Sequence, residues 1–461
     1  MISEDTLLTL LDLALSEGGD FAEVYYESSE INRVLMQDTR VKSCSYGNTI
    51  GAGVRVIKGE QIGYGCASSV ELEPLKRAAL TAARIAKDGK RFSPQDLHRS
   101  VIPTPPMIER PSGEVPASEK TDFVKRVDRS ARDVDARIKD VDISYYDQTR
   151  HFIIANSEGV LAEDGVVYTT LRVRTLAIDG QKRHPGLSGC SGHRGWELFD
   201  DSPPETLGRE SADMAIRMLD AREAPAGPMP VIIGKGNAVI IHEAVGHGLE
   251  ADIVQKGRSV YGDKLGEVIA SPLVTIVDDP TRPFKGGSIR VDDEGTLAQS
   301  TLLVENGVLQ GFLYDRITAQ RAGTASTGNG RRQSSEFYPI PRMTNTCFLE
   351  GDDDPEEILS ETARGFYVKK IGGGQVNPAS GDFVFEVLEG WLVENGRLLY
   401  PLREASLIGN GLEILQNIDR VGNDFGFDRQ GGFCGKGQLV PVGFGQPTIR
   451  VKKMTIGGTK K

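Results

Sequence analysis

The chain has 461 residues, 39% of them hydrophobic and 7% aromatic, which is material for a large core and, by size, two domains or more. Its 54 Lys and Arg stand against 65 Asp and Glu, a net charge of −11, and that excludes broad electrostatic attraction to nucleic acid or to an anionic membrane. No apolar run is long enough to span a bilayer, and the five scattered cysteines, Cys44, Cys66, Cys190, Cys347 and Cys434, contain no CxxC pair and form no disulfide framework.

The start, Met1-Ile2-Ser3-Glu4-Asp5, lacks the basic n-region of a signal peptide. With the cysteine pattern, this predicts a reducing, cytoplasmic setting. Residues 3–17 read as a helix: Ser3 caps it, Leu7, Leu10, Leu11 and Ala14 form a stripe, and Gly18-Gly19 stops it. Residues 21–67 read as antiparallel strands. Residues 71–88 read as a helix with Leu75, Ala79, Ala82, Ala83 and Ala86 inward. Residues 94–116 hold six prolines and read as a connector. Ser118 opens a helix to about 136, and 141–178 alternate as strands. The glycine-rich 186–195, with Cys190 and His193, reads as a surface loop. Ser202-Pro203-Pro204-Glu205 reads as a capped helix start running to about Leu219.

Pro225, Pro228 and Pro230 mark a second boundary. Residues 231–233 read as a buried strand, and Asn237 as the cap of the helix that follows. From 270 onward the patterns predict strands at 273–277, 300–304, 311–314, 382–387, 391–393 and 448–453, a helix at about 354–364, and a hairpin turn at Asn395-Gly396. Strands with helices set apart predict an α+β fold. The expected division is an N-terminal domain of antiparallel strands with helices, 1–223, in two segments joined by the connector at about 91–116. A strand-rich C-terminal domain, 224–461, carries the metal-binding helix.

That helix holds His242-Glu243-Ala244-Val245-Gly246-His247. Two of the chain's 6 histidines flank a carboxylate here, a combination suited to binding a metal and activating a water. The spacing is one residue longer than the usual His-Glu-x-x-His. On a regular α-helix it sets the histidines about 140° apart. Either a π-type turn or an early helix end near Gly246 or Gly248 is needed to bring both rings to one ion. A catalytic zinc takes three protein ligands, and the third has five candidates: Cys434, Glu250, Asp252, His193 and Cys190. Cys434 lies among glycines in Gly431-Gly432-Phe433-Cys434-Gly435-Lys436-Gly437-Gln438, where Lys436 would favour the thiolate. The chain completes no P-loop, no dinucleotide fingerprint and no nucleophile elbow.

The stretch from His242 through Gly248-Leu249-Glu250 closely resembles the metal motif of the TldD/PmbA family, in its catalytic TldD branch. So do Pro341-Arg342-Met343-Thr344-Asn345-Thr346, Ser380-Gly381-Asp382-Phe383-Val384-Phe385 and Cys434-Gly435-Lys436-Gly437-Gln438. The resemblance covers most of the chain. It implies a zinc metallopeptidase in which His242, His247 and Cys434 bind zinc and Glu243 is the general base toward a zinc-bound water. It also implies a dimer with a PmbA/TldE-like paralogue or with itself, and substrates that are extended, unfolded peptides bound like an added strand. The alternative is a non-catalytic peptide-binding subunit of such a dimer.

Overall fold

The computed structural model describes residues 2–85 and 93–459. The fold is α+β. Its N-terminal part is one twisted sheet of long strands, in the order Gln61–Ala67, Arg40–Lys58, Phe21–Gln37, Ile138–Asn156, Val160–Asp179. The strands Lys182–Gly192 and His98–Arg99 both pair with Val160–Asp179. The main neighbours are antiparallel over most of their length.

Side chains alternate across this sheet. On one face, Ala22, Val24 and Val54 meet the helices Glu4–Ala14 and Leu72–Ala83. Further along the same face, Val34, Ile143 and Val173 meet the helices Ala117–Arg132 and Pro204–Leu219. The predicted stripe Leu7, Leu10 and Leu11 is fully covered, each leucine contributing about 1.5–3 kcal/mol of burial. The opposite face carries Glu23, Tyr25 and Glu27 and lies against the C-terminal part. There the buried Glu23 accepts from Arg55 at 2.7 Å and from Arg332 at 2.5 Å, and Arg55 also reaches Glu294 at 2.7 Å. One carboxylate thus joins a strand of the sheet to a loop more than 300 positions away.

The C-terminal part has two large sheets, besides the small pair Gly330–Arg331 and Ile340–Pro341. In the first, Arg364–Val376, Gly227–Ile233, Ile449–Gly457, Ala405–Asn410 and Asp382–Glu394 pair in turn, and the last pairs back with the first. The ring is closed, so these five strands form a barrel. The second sheet runs Val308–Leu309, Thr301–Glu305, Ile276–Asp278, Asn345–Phe348, Leu439–Gln446, Gly426–Phe427, with the short strand Gly432–Gly435 also on Leu439–Gln446. The helix Val239–Ala244 lies between the two, touching Arg364–Val376 and Asp382–Glu394 of the barrel and Asn345–Phe348 of the sheet. No described helix is long and apolar enough to cross a membrane.

Several local expectations hold. Ser3 accepts from Thr6 N–H, and the hairpin turns at Asn395 (φ 52°) and Gly396 (φ 72°), the left-handed pair of a type I′ turn. Others are corrected. Asn237 does not cap the His-Glu helix. Its amide donates to the Gly234 and Lys369 carbonyls and accepts from Ile371 N–H, tying the helix entry to a barrel strand. Ser202 is not a cap either, because Pro203 intervenes and the helix starts at Pro204 without a side-chain cap; Glu205 pairs outward with Arg126. Residues 186–192 are not a surface loop but the end of an edge strand, with Cys190 buried in the helix-covered core. Residues 311–314 make only an isolated bridge, Leu313 to Glu250. Segments 382–387 and 391–393 are one strand. Ala86, expected on the stripe of the second helix, lies outside the described residues.

Candidate functional site

The i, i+5 spacing is resolved by ending the α-helix early. It stops at Ala244, Val245 turns at φ −112° and ψ −54°, and Gly246–Leu249 continues as a 3₁₀ turn. Of the two distortions that the spacing allows, this is the second. Tight packing demands the glycines: a Cβ on Gly246 would stand 2.1 Å from Met343 Sδ, and one on Gly248 2.5 Å from the Tyr261 ring.

The turn brings the two imidazoles to a centroid separation of 5.9 Å. Cys434 arrives from the hairpin formed by Gly432–Gly435 and Leu439–Gln446. Its Sγ is 3.1 Å from His247 Nε2, and a Glu243 carboxylate oxygen is 3.5 Å from the same nitrogen. One ligand atom from each of His242, Glu243, His247 and Cys434 lies within 4.8 Å of the others, a group that could hold a metal ion. His242, His247 and Cys434 are buried, whereas the Glu243 side chain is 31% exposed. Glu243 is therefore the member that meets solvent.

Outer contacts fix each ring. His242 Nδ1 is 2.9 Å from Thr346 Oγ1, and His247 Nδ1 is 2.8 Å from Glu250 Oε2. Both rings thus turn Nε2 inward. His242 Nε2 is buried and has no hydrogen-bond partner. A buried imidazole nitrogen left without a partner is costly, and a metal ion held by this group could meet it. Burial raises the Cys434 pKa, but the two imidazoles beside it outweigh that and bring it down to about 6. Burial lowers that of His247, but the charge of Glu250 and the contact with Cys434 raise it well above the ordinary value.

Glu250 is not among the four. It is fully buried and serves His247 from behind, held in turn by Lys436 at 3.1 Å and by Arg342 at 3.7 Å. Burial pushes its pKa up, and Lys436 and His247 overcome that, leaving it at about 2. Asp252 pairs with Lys436 at 2.8 Å, so Lys436 is engaged by two carboxylates and not by the thiolate. Arg342 donates to the carbonyls of Cys434 (2.5 Å) and Gln438 (2.9 Å), pinning the hairpin. His193 and Cys190 stay in or against the N-terminal sheet. Thr346 and Arg342 were passed over as site residues although both lie in a recognised motif. The signal that could have found them is that motif's polar content on an otherwise apolar strand.

Beside the site lies a cleft of about 940 Å³ between the open face of the N-terminal sheet and the Cys434 hairpin. Residues alternate along the hairpin strand, so Phe433 lines the cleft while Cys434 points to the histidines.

Fold and site together define a protein with a candidate His/His/Cys metal centre and an adjacent carboxylate, set between a closed barrel and a sheet. The chain matches the PmbA/TldA metallopeptidase domain 1 at residues 22–86, the central domain at 110–219 and the C-terminal domain at 226–458. It is 36% identical to the "Metalloprotease TldD homolog" of Haemophilus influenzae, over 99% of this chain and 97% of that one. It is 35% identical to a "Metalloprotease" of Methanothermobacter thermautotrophicus, over 99% and 100%. The crystal structure of TldE from Thermococcus kodakarensis shares the fold, with a TM-score of 0.79 at 20% identity, over 98% of this chain and 100% of that one. The chain belongs to the PmbA/TldD metallopeptidase family.

Proposed function

We propose that this chain is a zinc-dependent endopeptidase of the His-Glu-x-x-x-His type, acting on unfolded or extended peptides, with residues 224–461 as its metallopeptidase unit. The observation that carries this reading is the convergence of His242, His247, Cys434 and Glu243 within 4.8 Å, with Thr346 and Glu250 orienting the rings. Two imidazoles and a thiolate are a donor set that suits zinc, and three protein ligands leave a position open, as catalytic sites require. The orphaned His242 Nε2 fits a ligand role.

His242, His247 and Cys434 would hold the metal. When bound, it would polarise a peptide carbonyl and acidify a water. Glu243, on the exposed side, accepts the proton from the attacking water and returns it to the leaving amine. Glu250 keeps His247 in one tautomer and adds basicity to its inward nitrogen. Backbone contacts would supply affinity for extended substrates, and side-chain pockets any preference among them.

The exposed position of Glu243, away from the large cleft, supports completion of the site by a second subunit. That subunit is a PmbA/TldE-like paralogue or a second copy of this chain. The likeness to a TldE structure supports the former. Five free cysteines support a cytoplasmic location.

The test is Glu243→Gln. Hydrolysis of an unstructured peptide should fall by at least about 10²-fold, the typical worth of a general base, with metal content unchanged. Activity retained in the variant removes Glu243 from the proton-transfer role.

A further inference from the structure

The 940 Å³ cleft has a charge balance that the chain as a whole does not share. The protein carries −11, yet five arginines and only three carboxylates line this cavity. Glu27 is held by neutral donors, Ser335 N–H and the Tyr25 hydroxyl, so its charge still offsets that of one arginine. Asp293 accepts from Arg332 N–H and lies 3.4 Å from Arg150. The third, Glu336, is exposed at the rim. Arg332 is neutralised by Glu23.

Three cations remain. Arg33, Arg172 and Arg331 have no carboxylate within ion-pair distance among the described residues. Arg331 is buried and spends its guanidinium on the carbonyls of Met343 (2.6 Å) and Pro441 (2.8 Å), which leaves its charge uncancelled. Arg33 lies over the Tyr146 ring at 5.4 Å, and Arg172 over Phe433 at 6.0 Å. The rings restrict both side chains without neutralising them. Arg33 opposes Tyr146 in register, and Arg172 opposes Ser144 two positions along the same strand. Both therefore stand on the cleft face, roughly 12 Å apart at Cα by strand spacing. Between them sit Tyr146 and Phe433, with ring centroids 6.5 Å apart.

We propose that this cleft is a recognition site for an acidic stretch of the peptide substrate. Arg33 and Arg172 take Asp or Glu side chains from one face of an extended chain, Arg331 supplies background field, and Phe433 and Tyr146 take an intervening apolar or aromatic side chain. The proposal deepens the peptidase reading and rests on it for the link to turnover. Phe433 adjoins Cys434 but points to the opposite side of the strand, so a peptide held here lies across that one strand from the metal group. A peptide fits better than a nucleic acid because the surrounding protein is net acidic and repels a polyanion while admitting one or two charges.

The test is binding, read without turnover. Fluorescence anisotropy on the Glu243→Gln protein would compare two labelled, unstructured peptides, identical except that Glu in one is Gln in the other. The expected result is at least tenfold tighter binding of the Glu peptide at low salt. The gap should narrow as salt rises, and to less than threefold in Arg33→Gln/Arg172→Gln. The Arg33→Lys/Arg172→Lys protein should keep most of it, which separates lost charge from lost folding. Equal binding of the two peptides overturns the proposal, as does a preference that survives the double Gln substitution. So does tighter binding of a single-stranded oligonucleotide than of either peptide. Acidic preference in a wild-type protein that cuts neither peptide, alone or co-expressed with a PmbA-like partner, would refute the peptidase reading and leave the cleft assignment standing. Hydrolysis of both peptides with equal affinity would do the reverse.

Discussion

Glu250→Gln tests whether the support behind the metal group matters as its geometry implies. The carboxylate is fully buried, accepts from His247 Nδ1 at 2.8 Å, and sits 3.1 Å from Lys436 and 3.7 Å from Arg342. An amide keeps the shape and one acceptor but loses the charge. The bond to His247 drops from charge-assisted to neutral, about half as strong, and the inward nitrogen becomes a poorer donor to a metal. Outer-shell changes of this kind typically weaken metal affinity 10–100-fold, about 1.4–2.7 kcal/mol. Folding should suffer as well. Lys436 keeps Asp252, but Arg342 loses the carboxylate it faces, and leaving a buried cation unpaired costs about 3–5 kcal/mol. Among the described residues Arg342 has no other carboxylate within ion-pair distance, but it retains two carbonyl acceptors, so the lower end of that range is expected. The assays are competition with a chromophoric zinc chelator for affinity and urea denaturation of the metal-free proteins for stability. Zinc affinity within twofold of wild type, with the fold intact, would refute the assignment of Glu250 as the orienting partner of His247.

Three further outcomes follow from the same geometry. Cys434→Ala should reduce bound zinc to well under one per chain after dialysis, and unchanged metal content by elemental analysis would move the third ligand to Glu243, the remaining member of the group. Gly246→Ala should destabilise the protein by about 1–3 kcal/mol through overpacking against Met343 and lower metal retention with it; thermal unfolding and metal content both report this, and a neutral result would mean that the turn yields easily. Glu23→Ala should cost about 3–5 kcal/mol, because Arg332 loses the carboxylate it meets at 2.5 Å inside the interface. Urea unfolding monitored by Trp fluorescence would show it, and a cost under 1 kcal/mol would mean water relieves Arg332.

Much of the fold was legible because local signals were strong. Ser3 and the Leu7, Leu10, Leu11 stripe specify the first helix, and Asn395-Gly396 specifies a turn whose positive φ angles few other pairs tolerate. The failures have physical causes. Asn237 has the chemistry of a cap, but a barrel strand offers its amide better partners at Lys369 and Ile371. The 186–192 segment is glycine-rich because it packs closely: a Cβ on Gly186 would stand 1.8 Å from the Ser211 carbonyl. In the site, the histidine spacing declared a helix defect but not its kind. Met343 and Tyr261, which press on Gly246 and Gly248 from distant segments, select the early helix end. Glu250 was weighed as a ligand because sequence cannot show which side of His247 a carboxylate occupies. The cationic cleft was hidden because its arginines come from strands and a loop far apart in the chain, while the overall charge is negative.

A metal held by His242, His247 and Cys434 is the centre of the proposed activity. The most direct measurement is metal stoichiometry with X-ray absorption at the zinc edge, on protein purified alone and co-expressed with a PmbA-like partner. About one zinc per chain, with one sulfur and at least two nitrogen neighbours, and loss of the sulfur in Cys434→Ala, is the predicted result. No zinc under either condition, or a zinc without a sulfur neighbour, would contradict it.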